Sequence, residues 1–347
     1  MSNGHGRQPM KEARVIMGSG LRAAGFAACV SVAAICVWSN GAASAPAAAL
    51  ATPPATPPPG LSGKMPADFP QWAFPGSQSF SIPASTRQFA TVTMFDRTRA
   101  VDWFPEGHGP MPDIVKGRLP VFACGFCHLP EGAGRPENAA LAGLKEDYFL
   151  RQVKDFKAGT RRSPDPKFNP TANMIGSLHQ IDDGQFASAA KYYSGLTYRK
   201  HVKLIESASA PVTSMNGFVY VFDQKGTERL GDRIIEGPED FERFERRDPN
   251  LTLLAYVPVG SIARGAVLAR GAGARPDCSV CHGPGLKGTD IAPPLAGRPP
   301  TGIFRQLYAF KSGDRDGEQA ALMKPVVGGL SQKQMIDLAA YAASLEP

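Results

Sequence analysis

Two five-residue stretches, Cys124-Gly125-Phe126-Cys127-His128 and Cys278-Ser279-Val280-Cys281-His282, share the spacing Cys-x-x-Cys-His. Two thiols three residues apart reach the two vinyl groups on one edge of a porphyrin and form thioethers, and the histidine that follows then reaches the iron. The chemistry predicted is covalent attachment of two haem c groups through Cys124, Cys127, Cys278 and Cys281, with His128 and His282 as proximal iron ligands. Zinc, redox-dithiol and disulfide readings also use Cys-x-x-Cys. A redox dithiol of the thioredoxin kind needs a surrounding βαβ pattern that is not visible here. None of the three accounts for a histidine directly after both pairs.

The remaining axial position decides what such a site does, because a carrier fills it and an oxygen- or peroxide-activating site keeps it open. Met174 and Met323 are the candidate distal ligands, and both are expected in the loop before the last helix of their half. His179 competes with Met174, but Gly328 stands opposite it in the second half, so the pairing favours the methionines. His108 and His201 fall outside both halves and read as surface residues.

The two motifs belong to a repeat. Cys124 and Cys278 are separated by 154 positions, and the same offset superposes Leu141-Ala142-Gly143 on Leu295-Ala296-Gly297, Gln152 on Gln306, Phe156-Lys157 on Phe310-Lys311, and Arg161 on Arg315. Beyond that the offset is 149, carrying Met174 onto Met323, Gln185 onto Gln334 and Tyr192 onto Tyr341. Apolar residues at three- and four-residue spacing predict helices over 146–157 and 302–311. Asp182 with Gln185, and Ser331 with Gln334, carry the capping-box spacing that starts a final helix in each copy.

Each half resembles a class I cytochrome c, and the pair resembles the two-domain dihaem cytochromes of the c-four type, over about residues 113–198 and 262–347. Pro293-Pro294-Leu295-Ala296-Gly297 and the run from Phe304 to Arg315 follow that family's turn and helix patterns. The resemblance implies a Met as second axial ligand and a backbone carbonyl that accepts a hydrogen bond from the proximal histidine. The first copy departs at Ala139, where Pro293 stands in the second; Ala139 still offers a carbonyl, without proline's rigidity.

The expected fold is mainly α: two tandem class I cytochrome c domains, 113–198 and 262–347, with a partly β insert over 199–261 and an N-terminal extension over 61–112. Strand-like runs occur at Phe218–Phe222, Leu251–Val259 and Phe89–Phe95, and a charged helix is expected within Pro238–Arg247. Residues 46–60 are a Pro/Ala-rich tether. Residues 1–45 have the layout of a secretory signal, with Lys11, Arg14 and Arg22 ahead of the apolar run Ala23–Trp38 and small residues after it. Export to the periplasm is expected. An uncleaved anchor is the alternative, although the run is shorter than the roughly 20 apolar residues a bilayer span needs.

The 347 residues hold six cysteines, four in the motifs and two, Cys29 and Cys36, in the apolar run, so the exported chain has no thiol for a disulfide or a thiolate iron ligand. That weakens the reading as a thiosulfate-oxidising dihaem enzyme; a dihaem peroxidase is weakened by the two methionines. The formal charge of +7 falls to +4 once residues 1–45, with four basic groups against one acidic, are removed. The remaining Lys and Arg are spread along the chain, which excludes a nucleic-acid footprint. Expected partners are redox proteins, a dehydrogenase or a terminal oxidase, with peripheral membrane association left open. The function expected is single-electron transfer between them, either as a free carrier or as the cytochrome subunit of a larger complex.

Overall fold

The computed structural model describes residues 79–347, apart from 120 and 272–274. The signal-like segment, the tether and the start of the N-terminal extension lie outside the described residues. Of the extension, β1 (Ser79–Phe80) pairs antiparallel with β2 (Phe89–Ala90). The strand expected over 89–95 stops there, because Thr91–Phe95 turns into helix α1. In that helix Thr91 and Met94, three apart, are both buried, whereas Val92 is exposed. A small core forms from Phe80, Ile82, Met94, Val101 and Trp103.

The first repeat contributes α2 (Asp113–Lys116), α3 (Cys124–His128), α4 (Glu146–Lys157), α5 (Asn169–Leu178) and α6 (Asp183–Ser194). Its core is built by Phe149 and Val153 on one stripe of α4 and by Phe186, Ala189, Ala190 and Tyr193 on α6, closed by Ile114, Val115 and Leu178. α4 spans the residues that its apolar spacing predicted. The capping box is formed: Asp182 accepts from the Gln185 amide at 2.8 Å and Gln185 accepts from the Asp182 amide at 3.1 Å. Such a cap satisfies two otherwise orphaned amides.

Between the repeats lie β3 (Val202–Glu206), β4 (Ser209–Asn216), β5 (Val219–Arg229), β6 (Ile235–Pro238), α7 (Phe241–Glu245) and β7 (Leu253–Val257). β7 is the central strand of a three-stranded sheet, parallel to β3 and antiparallel to β6, with Val202 opposite Leu253 and Ile235 opposite Tyr256. Its alternating burial puts Leu253, Ala255 and Val257 in the core. β4 and β5 form a hairpin that turns at Gly217, where φ is +60°.

The second repeat holds α8 (Ser261–Ala269), α9 (Ser279–His282), α10 (Pro300–Ser312), α11 (Ala320–Gly328) and α12 (Gln332–Ser344). α8 crosses α12 so closely at Gly265 that a Cβ there would run into the Asp337 carbonyl oxygen. Arg264 locks the crossing with two bonds to the buried Asp337 carboxylate, at 2.9 and 2.8 Å. The Ser331–Gln334 capping box starts α12 as its counterpart starts α6. Among the described residues no helix is long and apolar enough to cross a membrane.

Candidate haem-attachment sites

In α3 the two thiols of the first motif stand three residues apart and His128 four residues after Cys124, so all three project from one helical face. The second motif repeats this, with Cys278 already in helical conformation at the N-cap of α9. All four cysteines are free and half-buried. Burial, reinforced by the neighbouring Cys127, pushes the Cys124 thiol up to about 12.

The histidines are oriented identically. His128 Nδ1 lies 2.7 Å from the Ala139 carbonyl and His282 Nδ1 lies 2.8 Å from the Pro293 carbonyl. A carbonyl only accepts, so in both rings Nδ1 carries the proton and Nε2 keeps its lone pair. Burial holds both imidazoles below the usual histidine range, which keeps them neutral. A neutral imidazole held by a backbone carbonyl is the state an iron ligand requires. Ala139 replaces proline without loss of this bond.

Met174 and Met323 do not lie in loops. They sit inside α5 and α11, each half-buried against the core of its own repeat. Pro170 falls in the first turn of α5, where its missing N–H costs nothing, so the proline-containing stretch read as a loop winds into helix. Met174 borders the same core as Cys124. Met323 and Cys278 border two cores that share Phe304 and Leu307. His179 is exposed at the C-terminal end of α5.

Two histidines read as surface residues are not. The His108 side chain is 3 % exposed, and His201 is half-buried, edge-on to Tyr198 at 5.9 Å. For His108 a covering partner is Tyr192 of α6, edge-on at 5.9 Å, a contact that no local pattern signals.

The repeats meet through their own equivalent residues. Arg161 donates to Gln152 and Gln306 at 2.8 and 3.2 Å, and Arg315 donates to the same two amide oxygens at 2.7 and 3.1 Å. The backbone follows suit: the Arg162 amide bonds the Asp314 carbonyl at 2.7 Å, and the Asp316 amide bonds the Thr160 carbonyl at 2.6 Å. Each bond maps onto its partner under the 154-residue offset, so the join has local two-fold character. Burial, then the adjacent Arg315, lowers the Arg161 guanidinium to about 9. Burial alone would raise the Tyr148 phenol, but Arg315 and Arg161 together hold it below its usual value. The offset had aligned Gln152 with Gln306 and Arg161 with Arg315; that aligned pairs face one another was not readable from it.

Surroundings differ between the motifs. Phe126 is 8 % exposed and lies under Arg247, whose guanidinium is 4.1 Å from the ring centroid. Its equivalent Val280 is 71 % exposed.

A family model described as cytochrome c matches residues 262–346. A cytochrome c-554(548) of Halomonas halodenitrificans is 40 % identical over 70 residues, covering 20 % of this chain and 84 % of that protein. The chain belongs to the cytochrome c family. At longer range, cytochrome c4 of Azotobacter vinelandii is 26 % identical over 240 residues, 67 % of this chain and 89 % of that one. A thiosulfate dehydrogenase electron acceptor of Thiomonas intermedia is 27 % identical over 226 residues, 64 % and 78 % of the two chains. This cytochrome is thus related to the dihaem c4 type along both repeats, and the family implies covalently bound haem c. The residues fit that group: paired thiols and a lone-pair nitrogen share one helical face in each repeat.

Proposed function

We propose that this cytochrome is an exported one-electron carrier with two haem c groups, one per repeat, serving a dehydrogenase or terminal oxidase. Residues 113–198 and 262–347 form the two haem units, joined by the insert 199–261. The observation that carries the reading is the doubled His–carbonyl bond. Two independent sites, written by one repeat, prepare the same neutral Nε2 beside the same pair of thiols.

Bound haem supplies a reversible one-electron change at iron. Cys124, Cys127, Cys278 and Cys281 anchor it, His128 and His282 give the proximal ligands, and Met174 and Met323 give the distal ones. Filling both axial positions suits a carrier, because the coordination shell then changes little with valence. Arg161 and Arg315 place buried positive charge at the join, where their acceptors are neutral amides, and this suits an anionic group such as a porphyrin propionate. No substrate turnover is required of the chain. The likeness to the Thiomonas electron acceptor supports a narrower version, in which electrons arrive from a thiosulfate-oxidising dehydrogenase.

Optical and redox titration of the exported protein tests this. Two low-spin haems per chain are expected, with the weak sulfur-to-iron band in the oxidised form. A high-spin haem in the resting protein would overturn the carrier reading in favour of a peroxidase, which turnover of peroxide after one-electron reduction would then show. Thiosulfate should reduce the protein only when the dehydrogenase is added.

A further inference from the structure

Asp102, His108 and Glu131 meet where the N-terminal extension lies against the first repeat. The first two belong to the extension and Glu131 follows the first motif by three residues. One ligand-type atom from each lies within 4.8 Å of the other two. Ligands about 2.1 Å from a tetrahedral zinc ion lie about 3.4 Å from one another, so the trio would have to draw in by up to about 1.4 Å for one ion to touch all three.

The three side chains converge. Both carboxylate oxygens of Glu131 are sealed from solvent and have no hydrogen-bond partner. Held charged and unpaired, such a group costs several kcal/mol in order of magnitude; burial raises the Glu131 carboxyl to about 7, and a bound cation would keep it charged. The buried His108 ring has Nδ1 2.8 Å from the Gly109 carbonyl, which fixes the proton there. Its Nε2 faces Asp102 Oδ1, 3.4 Å away, a contact that a proton or a metal ion between the two makes favourable. Arg87 reaches only the other Asp102 oxygen, at 3.7 Å, and the Tyr192 hydroxyl is committed to the Pro130 carbonyl at 2.8 Å.

We propose that Asp102, His108 and Glu131 bind one divalent cation of the zinc class, which fastens the N-terminal extension to the first repeat. One imidazole nitrogen with two carboxylate oxygens suits zinc, whereas magnesium and calcium favour all-oxygen shells. Three protein ligands leave a fourth position for water. The site uses none of the residues assigned to iron, so it stands or falls independently of the carrier reading.

The test is zinc itself, titrated into chelator-treated full-length holoprotein, with metal counted per chain by elemental analysis and binding followed by calorimetry. One zinc per chain and a raised melting temperature are expected. Glu131→Gln and His108→Ala should each weaken binding by at least about a hundredfold while leaving the haem absorbance intact. Absence of stoichiometric zinc in the wild-type protein would overturn the site and leave the trio sharing a proton instead. Equal affinity in the wild type and both variants would overturn it too, by placing the metal elsewhere.

Discussion

Phe126 and Val280 occupy the same place in the two repeats, between the cysteines of each motif, and have opposite surroundings. Phe126 is roofed by Arg247 from the insert, itself flanked by Phe95 of the extension at 5.5 Å, while Arg135 lies 3.9 Å from the Phe244 ring. Trp103 of the extension pins the same corner by donating to the Arg246 carbonyl at 2.7 Å. Among the described residues nothing roofs Val280 in this way, and it is exposed. In exchange, the second repeat has a nine-residue α8 packed on α12 through Gly265, where the first has the four-residue α2 and Met111 at the matching position. The same unit is thus completed in two ways: by its own N-terminal helix in the second copy, and by borrowed segments in the first.

The sharpest test of this contrast is truncation at the paired positions. Phe126→Ala should cost about 3 kcal/mol, as for a buried aromatic, while Val280→Ala should stay within about 0.5 kcal/mol, as for an exposed site. Chemical denaturation followed at both haems measures each; similar costs would mean that the roof contributes nothing.

Next in size is the helix crossing. Gly265→Ala should destabilise the second repeat by about 2 kcal/mol through overpacking against α12, while Met111→Ala in the first should cost about 1 kcal/mol or less. A thermal melt in which both variants move alike would remove the distinction between the two N-terminal solutions.

The join should show the opposite behaviour, symmetry rather than contrast. Because Arg161 and Arg315 share both glutamine acceptors, Arg161→Lys and Arg315→Lys should be non-additive by about 1 kcal/mol in a double-mutant cycle. Strict additivity would mean that the repeats stabilise themselves separately.

The smallest effect concerns how the insert grips the second repeat, where buried Glu236 accepts from the Thr301 amide at 3.2 Å. Burial raises its carboxyl above the usual range, against the opposing pull of the Thr301 bonds and Arg305. The folded protein therefore holds this proton more tightly than the unfolded chain does. The stability it brings is complete below the unfolded carboxyl value and is lost as pH rises through the folded one. Glu236→Gln should flatten the stability profile over that range, read by denaturant midpoints across a pH series.

Much of the local structure around the motifs was legible in the chain. The motifs name their chemistry because a porphyrin edge dictates the distance between thiols, and local helix geometry then places the histidine. α4, both capping boxes and the strands β5 and β7 of the insert follow from spacing and capping that act within a few residues, whereas β3, β4 and β6 carried no such signal. Legibility failed where the partner was remote. Phe89–Phe95 has strand-like residues, yet burial of Thr91 with Met94 selects a helix after Ala90. The methionine segments wind into helices whose inward faces are set by cores assembled from distant elements.

Sequence alone determined that two Cys-x-x-Cys-His motifs stand in one repeat frame, each with its thiols and histidine on one helical face, because those constraints lie within one helical turn. Only the tertiary structure decided that aligned Arg and Gln residues would clasp one another, that His108 would be buried beside two carboxylates, and that one motif would be roofed and the other bare. Those outcomes depend on surfaces brought together from across the chain, and no local pattern encodes which surface a residue will meet.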